Sequence, residues 1–265
     1  MTAPILILGA GRMGGALIEG WTAAGAFSPA ELMLRDPHPG AVALAARAAG
    51  ARLNPDDKAL AAAQTVLLAV KPQVWREAAS RVAPHLSPKA VIVSIAAGVG
   101  VAALGEAFAG HAVARVMPTT AVAIGKGVAS IFASDDRARA RAHALFGPVA
   151  TCVDLDDEAL MDVATAVSGS APAYLYAFIE ALEAAGVSQG LGALAAQRLV
   201  RGTLIGAAAL LDKTGEDPAE LRRQVTSPGG ATQAALTVLM GQAGLGPLLQ
   251  AAVEAAVARA TVLGR

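Results

Sequence analysis

Cysteine, histidine and aromatic side chains are all scarce in this sequence. The 265 residues include one cysteine, four histidines and 3% aromatic residues. The lone Cys152 cannot form a disulfide within the chain, and no charged-then-apolar leader precedes the first strand-like segment, so we predict a reducing, cytoplasmic location. No histidine stands at metal-ligand spacing from a cysteine or a carboxylate, and we therefore predict no metal site.

Neither sign of charge is in excess. Lys and Arg number 21, Asp and Glu also number 21, and no basic block stands out. We therefore do not expect nucleic acid or a membrane surface as a partner, and we expect a small-molecule ligand. Hydrophobic residues make up 55% of the chain, with a mean hydropathy of +0.52, but Gly, Ser or Pro interrupts the uncharged runs at 90–105 and 163–179. The surplus of apolar side chains predicts burial between subunits of a homo-oligomer.

Two common catalytic motifs are missing, since the chain has neither a G-x-S-x-G elbow nor a P-loop. It has instead an uncharged apolar run at 4–8 that passes through spaced glycines into a helical pattern. Strand, tight turn and helix in this order are typical of a dinucleotide-binding loop. In this interpretation Gly9 forms the turn, Gly11 lets the backbone approach a pyrophosphate, and Gly14 allows close packing of the helix. The predicted cofactor loop is Gly9, Ala10, Gly11, Arg12, Met13 and Gly14.

Short apolar runs alternate with helical patterns through about residue 156. Strands are predicted at 4–8, 31–36, 65–70, 90–95, 111–117, 127–132 and 148–153. This order predicts an α/β fold with a Rossmann-like, doubly wound sheet over residues 1–156. From 157 to 265 only helical patterns remain, at 158–168, 172–185, 191–213, 219–224, 232–242 and 245–263. We predict an all-α second domain there.

Turns at strand ends supply further candidates for the cofactor site, because ligands of doubly wound sheets lie beyond the carboxyl ends of the strands. Small residues and free backbone groups in two of these turns suit a ribose and a nicotinamide. These residues are Ala69, Val70, Lys71 and Pro72, and Ala96, Ala97 and Gly98. Each turn, taken alone, is equally an ordinary strand-to-helix connection. Hydride transfer suits a chain so poor in acids, bases and nucleophiles, because the cofactor carries the hard chemistry.

A Gly- and Pro-rich segment at 225–232 interrupts the helical half. We interpret Ser227 as an N-cap, Pro228 as the first helical residue, and Gly229 and Gly230 as exposing N–H groups to a small carboxylate. The hydroxyls of Ser227 and Thr232 would add donors. The alternative is a helix-to-helix turn that binds nothing.

The order of these motifs resembles the pyrroline-5-carboxylate reductase family over nearly the whole chain. The most specific parts are Ser-Gly-Ser-x-Pro-Ala-Tyr at 168–174 and Thr-Ser-Pro-Gly-Gly-x-Thr at 226–232. The resemblance implies reduction of a cyclic imine to proline by NADPH or NADH, and helical-domain dimers that assemble further into decamers. It implies that Ser227, Gly229, Gly230, Ala231 and Thr232 bind the substrate, with Thr232 as hydrogen-bond partner or proton relay at the imine nitrogen. Thr119, Ala121 and Ala171 depart from the family pattern.

Charges near the predicted adenine ribose favour NADH. Asp36 ends the predicted second strand, and Asp57 lies near a position that is commonly Asn in the family. An acid at the end of the second strand binds a ribose 2′-OH and repels a 2′-phosphate. Arg35 and His38 oppose this, because either side chain suits a 2′-phosphate, and Asp36 has the alternative role of a turn cap.

Two other functions stay open at this stage. One is a β-hydroxyacid dehydrogenase, which shares the two-domain plan but uses a catalytic lysine in the second domain. No lysine occurs between Lys126 and Lys213, which weighs against it. The other is a non-catalytic nucleotide-binding oligomer.

Overall fold

The first half of the chain folds around a single eight-stranded sheet. The computed structural model describes residues 2–263, so residues 1, 264 and 265 of the two predicted domains lie outside it. The strand order is β3-β2-β1-β4-β5-β6-β7-β8. The strands are β1 (Ile5–Leu8), β2 (Leu32–Arg35), β3 (Arg52–Leu53), β4 (Thr65–Leu68), β5 (Val91–Ser94), β6 (Ala112–Pro118), β7 (Gly127–Ala133) and β8 (Ala150–Asp154).

Twelve α-helices accompany these strands in the described part of the chain. They are α1 (Arg12–Ala24), α2 (Ala41–Ala48), α3 (Asp57–Leu60), α4 (Trp75–Val82), α5 (Val101–Ala107), α6 (Asp136–Phe146), α7 (Met161–Ala164), α8 (Ala171–Ser188), α9 (Ala193–Thr214), α10 (Pro218–Gln224), α11 (Ala231–Leu239) and α12 (Leu245–Leu263). The predicted fold class, a Rossmann-like sheet followed by a helical region, is confirmed.

The first strand is the centre from which the sheet grows in both directions. β1 pairs in parallel with β2 on one side and with β4 on the other. Its side chains alternate between two cores, Ile5 and Ile7 on one face and Leu6 and Leu8 on the other. All four are buried, because apolar elements cover both faces of a parallel sheet. The crevice at the carboxyl ends of β1 and β4 is therefore the switch point at which such sheets bind ligands.

Three local features differ from the sequence prediction. The two-residue β3 extends the sheet beyond β2, and two residues are too few to show any periodicity. β7 runs antiparallel to β6, because the short connection between them contains no crossover helix. The helix predicted at 158–168 is instead a 3₁₀ turn (Glu158–Leu160), the one-turn α7 and a π-helical turn (Thr165–Gly169).

The chain divides into two compact units. The first runs through Gly169 and resumes at Val257, and the second is Ser170–Ala256. The predicted boundary after residue 156 follows the end of β8, whereas the units divide after the π-helical turn. That turn packs near the sheet, since a Cβ on Gly169 would lie 3.8 Å from the side chain of Met117.

The helices of the second unit expose much of their apolar surface. α8 has no buried residue, and in α9 only Ala196 is buried. Large exposed side chains on these two helices include Leu175, Tyr176, Phe178, Leu182, Leu194, Leu199 and Ile205. By length and composition alone, α9 passes the test for a membrane-spanning helix, and it is the one helix of the described residues that does.

Candidate functional site

The sheet brings the predicted cofactor residues of the first unit to one edge. β1, β2, β4 and β5 are parallel, so the turns that follow them all lie at their carboxyl ends. The cofactor loop follows β1, Asp36 follows β2, residues 69–72 follow β4 and residues 96–98 follow β5. Asp57 begins α3, and its side chain reaches the same region through Arg35.

The three glycines of the cofactor loop meet different surroundings. Gly9 has a φ of +90°, which favours glycine, and a Cβ there would lie 3.0 Å from the Ala69 carbonyl oxygen. A Cβ on Gly14 would lie 2.2 Å from the Gly9 carbonyl oxygen, so helix and turn pack too closely for any side chain. Gly11 caps α1 and has open space around it. Its exposed N-terminal position leaves room for a pyrophosphate.

Asp36 ties the end of β2 to the cofactor loop. Its Oδ2 accepts a hydrogen bond from the Ala10 N–H at 2.8 Å, and its Oδ1 accepts one from the His38 N–H at 2.8 Å. Asn54, with a left-handed φ of 48°, bonds both backbone groups of Asp36 through its side-chain amide at 2.9 Å. Asp36 thus serves as the turn cap considered above. Its carboxylate also lies next to the cofactor loop, because it binds the Ala10 N–H.

Arg35 is held by partners of its own. Its guanidinium donates to the Pro55 carbonyl oxygen and to Asp57 Oδ1, each at 2.7 Å. The hydrogen bond from Arg35, with a further contribution from the charge of His85, lowers the pKa of Asp57 below its ordinary value. Asp57 therefore keeps its charge to a lower pH than an unpaired aspartate, and that charge is paired with Arg35.

A cavity with a volume of about 590 Å³ adjoins these charges. Small-molecule sites typically measure about 300–1,000 Å³. Arg35 and Asp36 line one side. The Nε atom of Arg35 is buried and has no hydrogen-bond partner among the described residues. The other walls are formed by Leu8, Pro37, Asn54, Pro55, Val70, Val74, Glu77, Ala78, Arg81 and Val82. Apolar walls with a few charged groups suit the adenosine end of a dinucleotide.

The remaining predicted turns differ in how firmly they are held. Lys71 is exposed and precedes a 3₁₀ turn that begins at Pro72. After β5, Ala96 is buried, Ala97 is exposed and Gly98 is left-handed, with a φ of +74°. Beyond this segment, the Val101 N–H at the start of α5 donates to Glu158 Oε1 at 2.8 Å.

The predicted substrate loop lies in the second unit and folds as a turn before a helix. The Gly230 N–H donates to the Ser227 carbonyl oxygen at 3.1 Å, and Gly229 has a φ of +70°. Pro228 followed by a left-handed glycine is typical of a type II turn. The predicted N-cap at Ser227 is therefore wrong: Gly230 caps α11, which begins at Ala231.

The amides of this loop do not all remain open. Gly229 N–H donates to Gln233 Oε1 at 2.6 Å, and Gly230 N–H is used in the turn. The first N–H groups of a helix have no acceptor within it. Those of Ala231 and Thr232 therefore point out of the N-terminus of α11, where the helix dipole favours an anion. The Thr232 hydroxyl makes no hydrogen bond within the described residues.

Of the three departures from the family pattern, Thr119 has a clear structural role. It is buried, its Oγ1 accepts from the Val128 N–H at 3.0 Å, and its own N–H donates to the Val128 carbonyl oxygen at 2.9 Å. It therefore ties the chain just after β6 to β7. Ala121 lies in the 3₁₀ turn that follows, and Ala171 begins α8.

Sequence reasoning missed several residues that shape the site. Asn54, Glu158 and Gln233 all act through side-chain to backbone hydrogen bonds. The Asn54-Pro55 dipeptide is a turn signal that would have marked the first of them. For Glu158, no local signal exists, because Val101 is 57 residues away in sequence. Among the described residues, no cluster of three or more His, Cys, Asp or Glu could hold a metal ion.

Known proteins match the chain at both ends and over its whole length. Residues 4–98 match the family model described as NADP oxidoreductase coenzyme F420-dependent, and residues 158–263 match pyrroline-5-carboxylate reductase dimerisation. The pyrroline-5-carboxylate reductase of Pseudomonas aeruginosa is 38% identical over 270 residues, which cover 99% of this chain and 97% of that protein.

Two solved structures are similar to this chain over nearly its whole length. A pyrroline-5-carboxylate reductase from Coxiella burnetii is similar with a TM-score of 0.92 and 28% identity, covering 100% of both chains. The Plasmodium falciparum pyrroline carboxylate reductase, solved with NADP bound, has a TM-score of 0.83 and 26% identity, covering 99% of this chain and 98% of its own.

The sheet edge and these matches together define an NAD(P)H-dependent oxidoreductase. More particularly, the chain belongs to the pyrroline-5-carboxylate reductase family. The resemblance found in the sequence is confirmed.

Proposed function

We propose that this chain reduces the cyclic imine of pyrroline-5-carboxylate with a nicotinamide cofactor and releases proline. The observation that carries the proposal is the similarity to curated pyrroline-5-carboxylate reductases over the full length of the chain. The aligned regions include both the cofactor loop of the first unit and the turn before α11. We therefore assign both segments to this one reaction. The similarity makes proline biosynthesis the cellular role.

The residues of the first unit fit the cofactor. Gly11 leaves the helix N-terminus open for the pyrophosphate, and the cavity beside Asp36 has the size and apolar walls for adenosine. When bound, the nicotinamide supplies the hydride. The chain has to orient C5 of the substrate ring toward it, because a protonated imine is already electrophilic and needs no strong acid.

We assign the substrate carboxylate to the turn before α11. Ser227, Gly229, Gly230, Ala231 and Thr232 form this binding segment, and the open N–H groups of Ala231 and Thr232 are its donors. The Thr232 hydroxyl, with no partner of its own, is assigned to the imine nitrogen as hydrogen-bond partner or proton relay. Ser227 and the two glycines hold the backbone shape through the turn.

The activity is tested by following nicotinamide fluorescence. NADH or NADPH should be oxidised when pyrroline-5-carboxylate is added. A 3-hydroxy acid offered with NAD⁺ or NADP⁺ should give no reduced nucleotide. Turnover of the 3-hydroxy acid alone would favour a β-hydroxyacid dehydrogenase, and binding of the nucleotide without any turnover would favour a non-catalytic oligomer.

We infer a preference for NADH over NADPH. The Asp36 carboxylate stands at the cofactor loop, where it would repel a 2′-phosphate and attract a 2′-OH. Arg35, one of the two cations that suit a 2′-phosphate, is already paired with Asp57. A strong preference of the unmodified protein for NADPH would contradict this inference.

Replacing Asp36 with serine should have two effects. The ratio of kcat/KM for NADPH over NADH should rise, because a negative charge is removed from the ribose site. The KM for both cofactors should also rise, because a serine hydroxyl cannot reach both the Ala10 and His38 N–H groups. Asp36→Asn is the matched control, since it removes the charge but keeps one acceptor oxygen. If neither variant changes the ratio, charge at residue 36 does not select the cofactor.

We infer a homo-oligomer built on the helices from α8 onward, as a dimer or a pentamer of dimers. Residues 158–263 match a dimerisation family, and α8 and α9 expose large apolar side chains in the single chain. Monomeric proteins rarely expose so large an apolar surface. We accordingly assign residues 1–156 to dinucleotide binding and 157–265 to dimerisation and substrate binding, in a cytoplasmic enzyme.

Sedimentation gives the oligomer a direct test. We expect no monomer of 26.4 kDa at micromolar concentration. Ile205→Glu, which places a charge on an exposed apolar position of α9, should shift the distribution toward monomer. A wild-type protein that sediments as a monomer would contradict the inferred homo-oligomer.

A further inference from the structure

A buried arginine lies at the carboxyl edge of the sheet, next to residues 96–98, one of the two turns predicted to line the ribose and nicotinamide. Arg115 on β6 is the register partner of Ser94, the last residue of β5, and its side chain is only 8% exposed. Burying a guanidinium is costly unless the charge is paired. Arg115 Nη1 lies 3.3 Å from Glu158 Oε1 and Nη2 lies 3.8 Å from Asp162 Oδ1. The two carboxylates therefore keep the arginine at this edge.

The Glu158 Oε1 atom that contacts Arg115 also accepts a backbone hydrogen bond. The donor is the Val101 N–H at 2.8 Å, at the start of α5. The N-cap of α5 is Gly100, which has no side chain to satisfy the first amides of the helix. Glu158 supplies that missing cap from a distant part of the chain. A Cβ on Gly100 would lie 3.4 Å from the carboxylate, so the two segments are in contact.

The segment between β5 and α5 is anchored at its start, where the Ile95 N–H donates to the Leu68 carbonyl oxygen at 3.0 Å, and Ala96 and Val99 are buried. It has few other hydrogen bonds. Ala96 N–H donates to Ser94 Oγ and Val99 N–H donates to the Ala96 carbonyl oxygen, both at 3.3 Å. Gly98 between them is left-handed and Ala97 is exposed. These bonds are local and long. The bond from Val101 to Glu158 is the shorter one, and it ties the far end of the segment to another element.

We propose that Glu158, oriented by Arg115, is a positioning residue for the nicotinamide half of the cofactor, acting through residues 96–100. The inference rests on the proposed function and on the prediction from sequence that residues 96–98 lie at the ribose and nicotinamide. Glu158 has no part in binding the adenosine half, whose cavity lies against β1, β2 and α4. Loss of the Glu158 cap lets residues 96–100 shift, and the nicotinamide loses its alignment with C5 of the imine.

The decisive comparison uses two ligands. Glu158→Ala should lower kcat with NADH by roughly 10- to 100-fold, because small misplacements of reacting groups cost rates of this order. The Kd of ADP-ribose, which lacks the nicotinamide, should stay unchanged. With 4-deuterated NADH, the isotope effect on kcat should increase, because hydride transfer becomes the slower step. A merely structural defect would weaken ADP-ribose binding as well.

Two conservative variants separate the hydrogen bond from the charge. Glu158→Gln keeps an acceptor for the Val101 N–H and should retain most of kcat. Glu158→Asp keeps the charge beside Arg115 but is one methylene shorter, so it should behave like the alanine variant. The control is Asp154→Ala. Asp154 lies on β8, three strands away from β5, and its carboxylate is paired with Arg139 at 3.1 Å. The kcat of this variant should match that of the wild type.

Two results would overturn the proposal. One is a Glu158→Asp variant with the kcat of Asp154→Ala, and the other is parallel loss of ADP-ribose and NADH binding. Should the alanine variant fail to fold, the aspartate and glutamine pair gives the same test. Failure of the proposed function looks different, because the wild-type protein itself would then not oxidise NADH or NADPH in the presence of pyrroline-5-carboxylate.

Discussion

Replacing Thr232 with alanine is expected to lower kcat/KM for pyrroline-5-carboxylate on the order of 10²-fold, the usual cost of losing one transition-state hydrogen bond. Thr232 is the second residue of α11, and its hydroxyl has no partner within the described residues. The group is thus available for the imine nitrogen. The Kd of the nicotinamide cofactor should not change, because the proposed cofactor residues all lie in the first unit.

A second threonine of the same helix provides the control. Thr237 donates its hydroxyl to the Gln233 carbonyl oxygen at 3.0 Å, so that hydroxyl is already used inside the helix. Thr237→Ala should therefore retain wild-type kcat/KM, and Thr232→Ser, which keeps the hydroxyl, should retain much of it. Equal rates for Thr232→Ala and Thr237→Ala would remove Thr232 from the mechanism.

Alanine substitutions at two glycines of the cofactor loop should differ in their effect on stability, although both should weaken cofactor binding. Gly14→Ala places a Cβ 2.2 Å from the Gly9 carbonyl oxygen, so turn and helix must move apart. Overpacking of this kind costs about 1–3 kcal/mol or more. Each kcal/mol lowers Tm by about 2–4 °C in a protein of this size. Cofactor binding should fall with Tm, because the displaced turn is the one to which we assign the pyrophosphate.

Gly11→Ala should leave the fold intact and still weaken the cofactor. No atom outside the neighbouring residues lies within 4 Å of the added Cβ, so Tm should stay close to that of the wild type. The methyl group would occupy the helix N-terminus to which we assign the pyrophosphate, and the Kd of NADH should rise. Calorimetry and fluorescence titration measure the two quantities. Unchanged NADH affinity in Gly11→Ala would place the pyrophosphate elsewhere, and a wild-type Tm in Gly14→Ala would contradict the close packing.

Much of the fold was predictable because its signals are local. The apolar runs at 65–70 and 90–95 predict β4 and β5, since strands buried on both faces need continuous apolar side chains. The helices at 172–185, 191–213 and 245–263 correspond to α8, α9 and α12 within a few residues. The antiparallel β7 was not predicted, because strand direction depends on the path of the connection rather than on side-chain periodicity.

For the candidate site, the sequence predicts which segments contribute, but it does not predict their hydrogen bonds. The glycine spacing predicts a cofactor loop at residues 9–14, because a left-handed backbone such as that of Gly9 depends on residue type. Sequence alone suggested that Gly229 and Gly230 offer free amides. The folded loop uses both, one for Gln233 and one for the turn, and opens the amides of Ala231 and Thr232 instead.

The sequence by itself determined the βα alternation, the glycine turns, the family and the surplus of apolar side chains. Each of these depends on neighbours a few residues apart, where periodicity and backbone preference act directly. Tertiary structure alone decided that Asp36 binds Ala10, 26 residues away, and that Glu158 caps α5 from 57 residues away. A side-chain oxygen accepts whichever donor the fold brings within reach, and a linear pattern does not specify that donor.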